Sequence, residues 1–229
     1  GIAGTNNLNE INILNSMLRS FKKSTGAIYP IPYPNQVLGA GSPNGYIDTR
    51  YSVNRDNNVS TLLFRGAMAG EDIIGTMWTI LGNASSGIAV PVWPIGELPY
   101  VLTGNSGNQA PMEYINHQIK DRLYSWENQD DNGTTREEDF IDSYQLINES
   151  ENGLWPDYIF PVESIVINDA LNMIELWNSE GIDLNGMMQY QQSVANFVYN
   201  QMTQISTDKP PIICDFEYAE DVDDEDAED

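Results

Sequence analysis

The chain has 229 residues, enough for one globular domain and a tail, and 41% of them are hydrophobic, so a sizeable core is within reach. Ten basic residues against 34 acidic ones give a formal charge of −24, which repels nucleic-acid phosphates and anionic lipid headgroups and makes cations or a basic partner the natural complement. A single cysteine, Cys214, and a single histidine, His117, exclude an internal disulfide, a thiolate zinc cage, a two-histidine metal site and a histidine relay within the chain.

The opening GIAGTNNLNE has neither the basic nor the apolar region of a signal peptide, and no apolar run is long enough to span a bilayer. Leu8, Ile11, Leu14, Leu18 and Phe21 recur three or four apart and predict an amphipathic helix over 6–23, with Arg19, Lys22 and Lys23 favouring its C-terminal end. Pro30, Pro32, Pro34 and Pro43 then predict a long loop, whose Tyr29, Tyr33 and Tyr46 suit packing against the body or over a pocket.

NVSTLLFRGAMAG reads as a strand with a glycine-bounded turn. GTMWTIL and GIAVPVWP are two further strands separated by the polar turn GNASS. Met77, Thr79 and Leu81 alternate with Trp78 and Ile80, so both faces of the first carry bulk, the pattern of a strand covered on both sides. Pro91 and Pro94 place the second at or near a sheet edge.

A second amphipathic helix is predicted over 112–127 through Ile115, Ile119, Leu123 and Trp126. Another opens at Pro161, carries Ile165, Ala170, Leu171, Ile174 and Trp177, and stops before Gly181. Asp183 caps a last one to about Ile205, with Met187, Tyr190, Val194, Phe197, Val198 and Met202 inward. These elements make an α+β domain over 1–207, followed by an acidic tail over 208–229 that is solvated unless it binds something.

Candidate sites are few. Asn128, Asp130, Asn132, Gly133 and Asp139 occupy positions 1, 3, 5, 6 and 12 of an EF-hand-type calcium loop, which makes calcium the one candidate cofactor. Asn at position 1, Thr135 at position 8 and Asp at position 12 depart from that pattern. Asn58, Asn83, Asn132 and Asn148 head Asn-x-Ser/Thr sequons, expected by chance in so asparagine-rich a chain. Trp93, Trp126 and Trp155 adjoin turns and suit either sugar stacking or core packing. Acidic neighbours raise the thiol pKa of a residue placed like Cys214, which makes it a poor nucleophile. Ser85 and Ser86 in GNASSG lack the strand-to-helix elbow of a serine hydrolase.

The order NVSTLLFRGAMAGEDIIGTMWTILGNASSGIAVPVW resembles the late strands of N-terminal-nucleophile hydrolases. Within these it is similar to the acyl-coenzyme A:6-aminopenicillanate acyltransferase-like family, related to choloylglycine hydrolases, and to secreted Bacteroidetes members above all. Thr76, Trp78 and Thr79 supply the family's T-x-W-T strand and AVPVW its successor. The likeness extends over roughly 8–205 and is specific over 58–93. It implies the C-terminal portion of a four-layer αββα sandwich, secreted, periplasmic or on the cell surface. It further implies an N-terminal cysteine freed by self-cleavage, with its α-amino group as base, acting on linear amides.

That cysteine would belong to a companion segment or chain, since this sequence starts at Gly1. Relatives that hydrolyse bile-salt amides carry an Arg after the serine of their S-x-S-R-F strand; here Ser60 is in register and Thr61 takes the Arg position. No catalytic residue is carried over, and Asn58, Ser60 and Thr61 are the pocket-lining candidates. Three readings follow: an Ntn-type amidohydrolase or acyltransferase, a non-catalytic accessory subunit of a surface assembly on the same scaffold, and a calcium- or glycan-binding module.

Overall fold

The computed structural model describes residues 9–19, 46–49, 52–67, 73–105, 107–124, 140–147 and 153–207. Helix and sheet are mixed in them, an α+β architecture. Helix α1 (Glu10–Ile13) is capped by the Asn9 side chain and runs into a π-helical turn, Leu14–Leu18. The wider turn shifts the buried face, so that Leu14 and Arg19 are both in the interior. Arg19 is thus not the solvent-facing end charge that its position in the sequence suggests.

Strands β1 (Tyr46–Asp48) and β5 (Phe140–Asp142) form an antiparallel pair centred on Ile47 and Ile141. Strands β2 (Ser60–Arg65), β3 (Thr76–Leu81) and β4 (Val90–Val92) form an antiparallel sheet in that order. Leu62 lies opposite Thr79 and Phe64 opposite Met77, while Leu63 lies opposite Trp78 and Thr61 opposite Ile80. One face therefore carries Thr61, Leu63, Trp78 and Ile80, and the other carries Ser60, Leu62, Phe64, Met77 and Thr79. Ile80 and Asn116 both border Gly87, which turns the Trp78–Ile80 face towards the helices.

The central strand is covered on both faces, as its bulk predicts: Trp78, Thr79 and Ile80 are all buried. β4 is an end strand of this sheet. The hydrogen bond from Gly82 N to Val59 O at 2.8 Å sets which residues pair across β2 and β3. Alternation then makes Thr61, Leu63 and Arg65 the hydrogen-bonded positions, so Trp78 directs its backbone towards β2. Pro91, opposite Trp78, has its missing N–H on the outer side, where a proline costs the ladder nothing.

Helices α2 (Tyr100–Thr103), α3 (Pro111–Leu123) and α4 (Ser143–Ile147) precede a second π-helical turn, Leu154–Ile159, that leads into α5 (Phe160–Glu180). Pro in the first turn of α5 and Gly181 just past its end, at φ 102°, mark its limits as the sequence does. Asp183 caps α6 (Leu184–Ser206) by accepting from Asn185 N and Gly186 N. The buried stripe of α5 is Val162, Val166, Ile167, Ala170, Ile174 and Trp177, with Ile165 and Leu171 at its margin. α6 buries Met187, Tyr190, Val194, Val198 and Met202 as expected, and Ala195 and Ile205 as well. α6 packs on α3 and β4, which places the core between the helices and the sheet. No helix among the described residues is long and apolar enough to cross a membrane.

Candidate functional site

Asn58 stands in the loop entering β2, with its Nδ2 donating to the Val53 carbonyl. Ser60 opens the strand and is exposed, and Thr61 beside it is half-buried. A strand alternates its side chains, so Ser60 and Thr61 point to opposite faces of the sheet. The three candidates are neighbours in sequence without converging on one pocket, and Thr61 belongs with Leu63 on the helix-facing side.

Asn128, Asp130, Asn132 and Asp139 of the candidate calcium loop lie outside the described residues, as do Trp126 and Cys214. Among the described residues no three His, Cys, Asp or Glu side chains gather as a metal-holding group. Trp93 and Trp155 are buried, at 1% and 7% exposure, so neither is placed to stack on a sugar. Asn83 is 1% exposed and equally unsuited to carry a glycan.

The densest polar construction lies where the sequence suggests a plain polar turn. Residues 82–89, between β3 and β4, are buried throughout, and other elements bond to many of their polar groups, although the Ser85 hydroxyl is left without a partner. Asn116 of α3 accepts from Asn83 N at 3.1 Å and Ser86 Oγ at 2.7 Å, and donates from Nδ2 to Asn83 O at 3.0 Å. Trp155 donates from Nε1 to Ser85 O at 2.9 Å. Arg19 donates to Ala84 O and Gly87 O, each at 2.9 Å. Its guanidinium also meets Glu163 of α5 twice, at 2.5 and 2.7 Å, and lies 5.6 Å from the centre of the Phe160 ring. Glu163 accepts in addition from Ala89 N at 2.8 Å.

Arg19 and Glu163 are each 1% exposed, and the paired charges and backbone dipoles compensate one another where water does not reach. Ser85 and Ser86 have 0% exposure, so no substrate reaches either hydroxyl. This connection is a scaffold that fixes the sheet against three helical segments.

A second cluster joins β4 to α5 and α6. Trp93 and Trp177 meet edge to face at 5.2 Å between ring centres, and Tyr190 lies 5.7 Å from each. Gln191 accepts from Trp93 N at 2.7 Å, and the Tyr190 hydroxyl donates to Asp169 Oδ2 at 2.7 Å. Burial raises the Asp169 carboxyl above its ordinary pKa, and the Tyr190 hydrogen bond pulls the other way. A folded-state pKa above the unfolded one means a favourable contribution below the unfolded carboxyl range, lost as pH rises through the folded value. At neutral pH the ionised carboxylate is therefore a net cost. Asp169→Asn, which keeps an acceptor for Tyr190, should melt no lower than the parent at neutral pH, with the difference shrinking as acid protonates the parent. Melts across that range check this, and a lower melting point for the variant at neutral pH contradicts it.

Sequence reasoning missed Arg19, Glu163 and Asn116 as structural centres. The signal for Glu163 is a lone acid inside the run Ile159–Ile167, in which Ser164 is the one other polar residue. Asn116 sits one position after Ile115 on a predicted inward face, where a polar residue needs partners. Comparison with protein-family models, curated proteins and solved structures finds no match.

Proposed function

We propose that this chain is the C-terminal part of an N-terminal-nucleophile amidohydrolase or acyltransferase acting on linear amides, secreted or held at the cell surface. The nucleophilic cysteine comes from a companion segment outside these 229 residues. Its thiolate attacks the amide carbonyl while its own α-amino group takes the thiol proton and delivers it to the departing amine. Water or a second amine then releases the acyl group. None of this requires a histidine or a metal.

The observation that carries the reading is the two-sided character of the β2–β3–β4 sheet. One face holds Trp78 and Ile80 against helices, and the other is free of charge along Ser60, Leu62, Phe64, Met77 and Thr79. An αββα sandwich calls for a sheet apolar on both sides, with helices on one and a second sheet on the other. The residue order over 58–93 supports the same assignment.

An accessory, non-catalytic role on the same scaffold is the second reading. It is favoured by Thr61 standing where bile-salt-cleaving relatives have Arg, and by its half-buried side chain on the helix-facing side.

The native protein, isolated from its source, decides between them. Intact mass and N-terminal sequencing should find a companion polypeptide beginning with Cys, and the pair should hydrolyse a fluorogenic N-acyl amide until that Cys is replaced by Ala. A native polypeptide that starts at Gly1 alone defeats the hydrolase. A companion without a leading Cys, in an inactive complex, establishes the accessory role.

A further inference from the structure

We infer that Trp93, Trp177, Tyr190 and Asp169 form a redox site, which takes an oxidising equivalent from a one-electron oxidant and holds it on Tyr190 while Asp169 receives the phenol proton. The inference is independent of the amide chemistry proposed above.

Contact between the rings makes the first case. Trp93, Trp177 and Tyr190 each lie within 5.7 Å of the other two, centre to centre, so an electron vacancy on one ring is a single contact from the others. Indole and phenol rings are among the side chains that give up one electron most easily. Trp177 is 5% exposed, Trp93 1% and Tyr190 0%, which makes Trp177 the ring that a diffusing oxidant meets first.

The placement of protons decides where the vacancy rests. A buried phenol loses an electron readily only when its proton leaves with it, since otherwise a full positive charge is stranded in the core. Tyr190 Oη donates to Asp169 Oδ2 at 2.7 Å, so the acceptor for that proton is in place. Asp169 is only half-buried, which gives the proton a way on to water. Trp93 has no such outlet, because its Nε1 is buried without a hydrogen-bond partner. Its oxidised ring keeps both proton and charge and passes the vacancy on.

In the final step an electron moves from Tyr190 to the oxidised indole. The phenol O–H bond breaks, a new O–H bond forms on Asp169, and the tryptophan returns to its neutral state. An indole cation and a carboxylate become a neutral indole, a neutral tyrosyl radical and a neutral carboxylic acid, so the core is left without charge.

Packing alone does not call for this construction. Phenylalanine at 190 would keep the ring contacts with no hydroxyl to satisfy, and asparagine at 169 would accept the hydrogen bond without the cost that burial puts on the carboxylate. Burial, and then the Asp169 beside it, raises the Tyr190 phenol above its ordinary pKa, so its proton stays on oxygen until oxidation releases it.

The test is pulse radiolysis of the full chain in azide solution, where the azide radical takes electrons from indoles in preference to phenols. The parent should show indolyl absorption decaying as tyrosyl absorption grows, more slowly in heavy water. Part of the tyrosyl signal should be long-lived, because a ring with 0% exposure does not couple with a second tyrosine. Tyr190→Phe should lose that long-lived part. Asp169→Asn, which keeps an acceptor but takes no proton at neutral pH, should lose it as well while melting no lower than the parent, and it decides the matter if Tyr190→Phe does not fold.

A long-lived tyrosyl signal undiminished in Tyr190→Phe assigns the vacancy to another tyrosine and overturns the inference. The same signal unchanged in Asp169→Asn, or a growth rate indifferent to heavy water, shows that the carboxylate takes no proton and equally overturns it. So does indolyl decay in the parent with no growth of tyrosyl.

Discussion

Replacing Glu163 with alanine should cost the fold about 3–5 kcal/mol, because Arg19 would be left as a buried cation without its counter-charge. The carboxylate meets the guanidinium through both oxygens and also takes Ala89 N, so one substitution removes a charge pair and orphans a backbone donor. Adding Arg19→Met should recover part of the loss, since no isolated charge remains. The recovery is incomplete, for Ala84 O and Gly87 O lose their donors too. Urea unfolding of the parent, the single variant and the double variant measures all three. A loss below about 1 kcal/mol in Glu163→Ala would show that the pair behaves as an exposed one.

This pair marks where the sequence stops being informative. The α+β class, the limits of α5 and α6 at Pro161, Gly181 and Asp183, and the double-sided burial of β3 all follow from local chemistry: caps, breakers and periodicity. Each of those signals lies within a few residues of the element it describes. Arg19 reads locally as a cation ending an amphipathic helix, and nothing near it announces a carboxylate 144 positions away. Asn83, Ser85 and Ser86 likewise read as a solvated turn, because their partners Asn116 and Trp155 lie 33 and 70 positions distant. As for the candidate site, the periodicity of β2 is legible, and with it the opposite facing of Ser60 and Thr61. The exposure of Leu62 and Phe64 is not, because it depends on which strand ends the sheet.

Asn116→Ala should destabilise the chain by about 2–4 kcal/mol, leaving Asn83 N, Asn83 O and Ser86 Oγ buried without their main partner. Gly82 adds a way to separate this from a simple cavity. It sits at φ 93°, and a Cβ there would lie 2.6 Å from Asn116 Cγ. Gly82→Ala should therefore be costly in the parent through both backbone strain and collision. In the Asn116→Ala background the contacts with Cγ and Oδ1 are gone and only the tight one with Cβ, at 3.0 Å, remains, so the second substitution should cost visibly less. A double-mutant cycle by chemical denaturation reads the coupling. Strictly additive costs would mean that Asn116 does not press on the turn.

The order in which a ribosome makes this protein gives the 82–89 connection a consequence for biosynthesis. Arg19 and the backbone groups of Ala84, Gly87 and Ala89 emerge before Glu163, which is translated last of the set. Until α5 leaves the exit tunnel the nascent chain has a guanidinium and a β3–β4 link whose resting places do not yet exist. The β2–β3 hairpin can form at once, but its attachment to the helices must wait for a glutamate that lies 74 residues beyond Ala89. A ribosome stalled before that codon would hold an unlatched, apolar hairpin, the form in which this chain most needs a chaperone.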